Sequence, residues 1–487
     1  MTEADLIQSL RSDAHIQGDF RTKKNRYYLA CHAKSPERIL IKGVPYIITA
    51  NEHDEIEILE NQSVYIEGAE IKEVFQGVSS LVHIKDIDLM YDASDRGGIV
   101  LTPGFINAHA HPTMYLMRSA MLLDYGQHLD ETIAKMPLWQ KHIKGTALIT
   151  SILGDITEQQ KSGITTTLNH NAIHKEVDEA ADLCHQRIIN CISAVSNTQP
   201  DITPKTALQY ITSSKRALSE GGIAIHYLYK IKEEHLKQIA QIQKKYHVLV
   251  TIHFAESEGV VQKTIEKFGV REVELLRRYG LLNPLTLLSH VLHVTNEEIQ
   301  ELIDNEVGIV HLPTSNTIHK SGVFKYPTFA RMGGSPRVAL GTDSVVSKSR
   351  LDLLSEAFQT RVTHLPDYTV YYEELFKMIT VNAARVVNQP KLGRIAPGYK
   401  ADIAFWKLKD RGFIPFDTGD PKTLVGNIIS HGGRNIRDLM VDGKFVISNR
   451  VHNLVNESEL LIKIQKYHME VRTHVEQEKI EMGETDF

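Results

Sequence analysis

Residues 98–111 read GIVLTPGFINAHAH. An apolar run ends in two histidines one residue apart, just after a Pro-Gly turn. In a strand that spacing sends His109 and His111 to one side. A buried imidazole pair has to find hydrogen-bond partners or a metal ion. The chain holds 24 histidines, so the pair decides little alone. What decides the fold is the rhythm that this stretch begins.

Seven further short apolar runs follow: GITTTLNH (163–170), RIINCISAV (187–195), GIAIHYLY (222–229), VLVTIHFAE (248–256), LTLLSHV (285–291), VGIVHLPTS (307–315) and RVALGTDS (337–344). Most are separated by amphipathic stretches of helical length, such as DEAADLCHQR, KEEHLKQIAQIQKKY and VREVELLRRYG. Strand-helix alternation repeated eight times predicts a closed (β/α)8 TIM-like barrel over 98–389, of the α/β class. Outside the barrel the rhythm changes. ILIKG, PYIITA and SVYIEGAEIKEVF before it, and LGRIAPGYKADIAFWKL, LVGNIISHGG and IRDLMVDGKFVIS after it, read as short strands with glycine turns. Residues 39–97 and 390–450 are therefore expected to build one small β domain from both chain ends. Residues 1–38 are read as an N-terminal extension, and 451–487 as a charged helical tail whose polar face is expected to be solvated or to lie at a subunit contact.

Composition narrows the function. The chain has 487 residues, 42% hydrophobic and 24% charged, with net charge −5. There is no basic footprint for nucleic acid. No apolar run approaches the ~18 residues that span a membrane, and the N-terminus lacks a signal peptide's pattern. Cys31, Cys184 and Cys191 are sparse and irregularly spaced, which predicts reduced thiols and a cytoplasmic protein.

Catalytic groups of such barrels lie at the C-terminal ends of the strands. The eight runs end in, or carry, His109 and His111, His170, His226, His253 with Glu256, His290, His311, and Asp343. Three histidines with one carboxylate suit Zn²⁺ or Fe²⁺, with a position left for water. A nearby carboxylic acid could then shuttle protons, and Glu256 lies three residues past His253.

PGFINAHAH, HFAE, SHVLHVTNEEI, HLPTSN, ALGTDS and LGRIAPGYKADI, in this order, resemble the metal-dependent amidohydrolase superfamily. The branch is that of the cytosine, guanine, aminofutalosine and S-adenosylhomocysteine deaminases and the triazine chlorohydrolases. The likeness runs from about Ile39 to Ser448 and implies a composite β-sandwich beside the barrel. It implies one divalent metal, Zn²⁺ before Fe²⁺, on His109, His111, His253 and Asp343. His290 would contact the metal-bound hydroxide. Glu256 would protonate a ring nitrogen of the substrate. Asp343 would pass the water proton to the departing amine, and His226 would touch substrate. The implied activity is hydrolytic deamination of an amino-substituted nitrogen heterocycle, a small molecule, by a homo-oligomer such as a dimer. Chlorohydrolase-like displacement of another leaving group is an alternative. So is hydrolysis of a cyclic amide at two metals bridged by a carboxylated Lys230. A third is a non-catalytic scaffold.

The chain departs from the branch in places. YLYK stands where PYT usually follows the fourth-strand histidine, and His319 and Lys320 stand where apolar residues are common. The loop MLLDYGQHLDETIAKMPLWQ does not match the segment that holds a ribose in nucleoside deaminases. His170, His293 and His311 read as structural or as orienting ligands, Lys230, His319 and Lys320 as solvated loop residues, and Arg118 as a structural pair near the first strand.

Overall fold

The computed structural model describes residues 3–10, 28–31, 36–94, 97–120, 129–194, 202–213, 216–347 and 350–482. Most of the N-terminal extension (11–27 and 32–35) and the start of the loop after the first run (121–128) lie outside them.

Six strands come first: β1 (Tyr28–Cys31), β2 (Arg38–Ala50), β3 (Ile56–Glu67), β4 (Glu70–Phe75), β5 (Leu89–Asp92) and β6 (Ile99–Pro103). Eight more follow: β7 (Phe105–Ala110), β8 (Ile164–Asn171), β9 (Arg187–Ser193), β10 (Ser219–Ile225), β11 (Val250–Phe254), β12 (Thr286–His290), β13 (Gly308–His311) and β14 (Val338–Leu340). The last four are β15 (Ile403–Lys407), β16 (Ile436–Val441), β17 (Lys444–Ser448) and β18 (Val451–His452).

Strands β7 to β14 pair in sequence order, each parallel to the next. Such strands are covered on both faces, which is why they read as unbroken apolar runs. The sheet returns on itself through a bridge between Ala110 and Asp343. There the amides of Thr342 and Asp343 donate to the His109 carbonyl at 3.2 and 3.1 Å. Ile106, Leu168, Ile189, Leu287 and Val310 pack inside, and helices cover the outside. The expected TIM-like barrel is present. Cys184 and Cys191 are buried free thiols.

The remaining ten strands form a second sheet drawn from both chain ends. Strand β2 runs for thirteen residues and breaks register between Ile41 and Val44. Its first half pairs with β5 and its second with β6. Strand β15 then pairs antiparallel with β6, bringing the C-terminal strands alongside. Ile39, Ile47, Val64, Leu89, Tyr91, Ile403, Phe405 and Met440 share one core. The pairing is mainly antiparallel, apart from β2 with β5 and with β6.

One apolar run reads differently in three dimensions. Residues 98–109 are two strands divided at Gly104, with β6 in the second sheet and β7 in the barrel. A side chain at Gly104 would collide with Thr165, so the handover needs glycine. An unbroken apolar run carries no mark of which sheet each half joins.

The helix Glu457–Glu481 was expected to be a solvated face. It packs on the helices Thr146–Lys161 and Leu129–Gln140, burying Leu460, Lys463, Val471 and Val475. The N-terminal helix Glu3–Leu10 joins it: Leu6 and Leu10 are buried, and the Leu10 carbonyl accepts from the Asn456 amide at 2.8 Å. None of the described helices is long and apolar enough to cross a membrane.

Candidate active site

The C-terminal ends of the barrel strands face a cavity of about 310 Å³. Each group reaches it through a local backbone device. After β11, Ala255 adopts a left-handed φ of 44°, turning Glu256 inward. At the end of β12, His290 has φ 73°. After β14 the chain passes Gly341, where a Cβ would lie 2.9 Å from the Cβ, N and O of His109. The chain then enters Asp343 at φ 58°. Asn107 ties these ends together, its side chain accepting from the Thr342 amide at 3.0 Å and donating to the Thr342 hydroxyl at 2.8 Å.

Three imidazoles converge. His109 Nε2 lies 3.1 Å from both His111 Nε2 and His253 Nε2. The other nitrogens are occupied. His253 Nδ1 donates to the His226 carbonyl at 3.0 Å, His109 Nδ1 pairs with Ser289 Oγ at 2.9 Å, and His111 bonds the His170 backbone. With protons on those sides, three Nε2 lone pairs face one another. That arrangement repels itself unless a cation sits between them. Burial pushes all three rings below the ordinary imidazole range, and neighbouring imidazoles push His109 and His253 further. Neutral imidazoles are the form that ligates metal. The Asp343 carboxylate reaches to 3.5 Å from His111 Nε2. Ser315 Oγ donates to it at 2.5 Å and the Ser344 amide at 2.8 Å. The donor set of three nitrogens and one carboxylate oxygen fits a divalent ion with an open position.

A second triple, His170, His226 and His253, also places its ring nitrogens within 4.8 Å of one another. It shares His253, whose Nδ1 is already committed. The His170 ring lies over His253, centroids 4.2 Å apart and planes 30° apart. The remaining nitrogen of His253, Nε2, already faces His109 Nε2 at 3.1 Å, so the first triple is the better cation cage.

The two carboxyl groups are driven apart. For Asp343, burial acts upward, but the His111, His109 and His290 rings and the Ser315 hydroxyl outweigh it and hold the acid ionised. For Glu256, burial dominates and raises it, against the His290 ring and the Tyr227 hydroxyl. Tyr227 donates to Glu256 Oε2 at 2.7 Å, and His290 Nε2 stands 3.5 Å from Oε1. His290 is fixed by its Nδ1 donating to Asn316 Oδ1 at 2.8 Å. Separated carboxyl pKa values of this kind mark an acid and a base.

The other named residues fall in different places. His226 lines the cavity, and burial followed by the Lys230 charge pushes it down to about 3. His170 also lines the cavity. His293 donates to the Ser321 carbonyl at 2.7 Å, and His311 stacks on Phe324 at 4.8 Å beside His364. Arg118 pairs with Glu158 at 2.7 Å. Lys320 is exposed. Two expected solvated residues are not so: Lys230 and His319 line the cavity. His319 is buried between Ser347 Oγ, at 3.1 Å, and Thr132 Oγ1, at 3.5 Å. Both reach inward because the helix Leu129–Gln140 covers the mouth, and its Leu129, Ile133 and Met136 give the cavity an apolar wall. Lys230 carries its ammonium over the Tyr227 and Tyr229 rings, at 5.1 and 5.7 Å.

Sequence reading missed Tyr227, Ser289, Ser315 and Asn316. Tyr227 left a signal as the residue after His226 at the end of a barrel strand, and the other three lie inside the stretches SHVLHVTNEEI and HLPTSN without a role assigned to them.

Residues 100–446 match the amidohydrolase family. A 5-methylthioadenosine/S-adenosylhomocysteine deaminase of Pyrococcus furiosus is 30% identical over 425 residues, 85% of this chain and 97% of that protein. One of Caldicellulosiruptor saccharolyticus is 28% identical, over 88% and 97%. Among solved structures, an adenosine deaminase from Xanthomonas campestris with bound zinc superposes with a TM-score of 0.79 at 19% identity, over 89% of this chain and 98% of that one. A zinc complex of the atrazine chlorohydrolase from Arthrobacter aurescens gives 0.77 at 21%, over 88% and 100%. These two are likenesses of fold. The family match over residues 100–446 and the relative that is 30% identical over 85% of the chain place it in the amidohydrolase family, as a hydrolase acting on carbon–nitrogen bonds.

Proposed function

We propose that the protein is a hydrolytic deaminase of an amino-substituted nitrogen heterocycle, working with one divalent metal ion, Zn²⁺ in preference to Fe²⁺. The observation that carries the reading is the convergence of three Nε2 atoms, their Nδ1 sides occupied, beside an ionised Asp343 and a Glu256 carboxyl that burial raises. His109, His111, His253 and Asp343 would hold the ion. When bound, it supplies a Lewis-acid centre that makes water a nucleophile near neutral pH. Zinc is favoured by the donor set and by the zinc in two proteins of like fold.

The chain's own groups account for the proton movements. Glu256, its carboxyl raised by burial, donates to the ring nitrogen beside the carbon that bears the amine. That carbon thereby becomes electrophilic as a water oxygen adds to it. His290, its Nδ1 fixed by Asn316, presents Nε2 to the added oxygen and orients it. Asp343 accepts the proton of the attacking water and delivers it to the amine. The carbon–nitrogen bond then breaks with its electron pair going to nitrogen, ammonia leaves, and the proton remaining on the added oxygen returns to the Glu256 carboxylate as the carbonyl forms. His226 and Tyr227 flank the ring. The apolar wall of Met114, Leu129, Ile133 and Met136 suits a substituent larger than a bare base. Adenine nucleosides with a thioether arm, of the kind in the relatives' names, are therefore the first substrates to test.

The experiment is an ammonia-release screen with metal-loaded enzyme across purines, pterins, pyrimidines, triazines and their nucleosides, including 5'-methylthioadenosine and S-adenosylhomocysteine. Turnover of at least one amino-heterocycle, lost in Asp343→Ala, is expected. Full turnover by Asp343→Ala would refute the proton route, and no ammonia from any member of the panel would refute the reading.

A further inference from the structure

The short helix Glu272–Arg278 lies behind the cavity wall, yet its first residue reaches the turn that carries the acid. Glu272 is 2% exposed and is absent from the cavity lining. Its Oε2 accepts from the Ala255 amide at 2.7 Å, and its Oε1 from the Thr264 hydroxyl at 3.4 Å. Ala255 is the residue in left-handed conformation between Phe254 and Glu256. A non-glycine residue holds that conformation only where its surroundings over-determine it.

The carbonyls of the same turn are tied as well. The Ala255 carbonyl accepts from the Leu292 and His293 amides at 3.1 and 3.0 Å, and the Phe254 carbonyl from Val291 at 2.9 Å. His290 and Val291 are themselves left-handed, at 73° and 54°. The turns carrying Glu256 and His290 are thus stitched to each other. Next to Glu272, the Arg271 guanidinium donates to the His293 carbonyl at 2.7 Å and to Glu298 at 2.8 and 2.9 Å. Two adjacent residues therefore grip both turns from outside the site.

We propose that Glu272 is a positioning residue. By accepting from the Ala255 amide it fixes the turn that sets Glu256 against His290. The inference rests on the deaminase reading through the role given there to Glu256. What the turn needs is a carbonyl-type acceptor at this point, not a charge. Burial raises the Glu272 carboxyl to about 8, and a neutral acid still offers that acceptor, as does an amide.

The test uses the full-length, metal-loaded protein with Glu272→Gln, Glu272→Asp, Glu272→Leu, Glu256→Gln and the Glu256→Gln/Glu272→Leu pair. Ammonia release and amide hydrogen exchange at Ala255 are measured on each. A displaced acid costs kcat steeply. Glu272→Leu should lose about tenfold or more in kcat, with KM within about threefold and metal content unchanged. Glu272→Gln should keep wild-type kcat and Glu272→Asp fall between, and the Asp variant carries the test if Leu does not fold. The double variant should be no slower than Glu256→Gln alone, since both changes remove one function. Exchange at Ala255 should quicken in Leu and not in Gln. Wild-type kcat in Leu, equal damage in Gln and Leu, multiplying losses in the pair, or unchanged exchange in Leu would each overturn the proposal. If the wild type deaminates nothing, the functional reading falls, and the exchange result alone decides whether Glu272 fixes the turn.

Discussion

A single methyl group added at Gly341 tests how the strand ends place the ligands. In Gly341→Ala the new Cβ would lie 2.9 Å from the Cβ, N and O of His109, where ordinary contact begins at 3.4 Å. All three atoms belong to the backbone or its first carbon, so no flexible side chain can give way. The end of β14 and the His109 segment must part by about 0.5 Å to recover normal contact. The bonds from Thr342 and Asp343 to the His109 carbonyl stretch with it. Overpacking of this kind costs about 1–3 kcal/mol of stability. A displacement of 1 Å at reacting groups can cost ~10²-fold, so half that distance should lower kcat/KM by roughly tenfold. The assay is ammonia release and metal content per chain, with Tm alongside. A folded Gly341→Ala protein that keeps kcat/KM within about twofold and its full metal complement would refute the reasoning, because His109 and Asp343 would then not depend on that contact.

Other outcomes follow from the same geometry. Ser289→Ala removes the partner of His109 Nδ1 and should weaken metal binding by about 10–100-fold, read by titration against a chelator. Glu256→Gln should lower kcat by about 10²–10⁴-fold while metal content stays the same. Because the folded Glu256 carboxyl is raised, activity should fall as pH rises through its titration. Tyr227→Phe removes a donor that favours the ionised form, so this alkaline limb should move to higher pH in a kcat/KM profile. Asp155 is buried, and burial pushes it up to about 7 from an ordinary 3.8. A carboxyl raised in the folded state contributes stability at low pH that is lost between about 4 and 7. Asp155→Asn, which keeps the oxygen facing Gln159, should therefore raise Tm at pH 8 more than at pH 5.

The barrel was legible because buried parallel strands are continuous apolar runs, and because the fold sends their last residues to one rim. The strand ends alone gathered His109, His111, His170, His226, His253, Glu256, His290, His311 and Asp343 at that rim; only the family resemblance singled out His109, His111, His253 and Asp343 as ligands, with Glu256 and His290 beside them. Their supports were not legible. Ser289, Ser315 and Asn316 are small polar residues whose partners are distant in the chain, and nothing local marks Ser289 as the partner of His109. Lys230 and His319 read as solvated because the covering helix Leu129–Gln140 brings its side chains over them only in three dimensions. Gly104 was hidden for another reason: an apolar run looks the same whether one sheet or two consumes it. The helix Glu457–Glu481 has a charged sequence, and four buried residues spread over four turns leave too faint a stripe to show which face packs.

The most direct measurement is bound divalent metal per chain against deaminase rate, in wild type and in His109→Ala, His111→Ala, His253→Ala and Asp343→Ala. The account predicts about one equivalent in the active wild type, activity that tracks occupancy as metal is stripped and restored, and failure of both in the histidine variants. A metal-free wild-type protein that released ammonia at the full rate would contradict it.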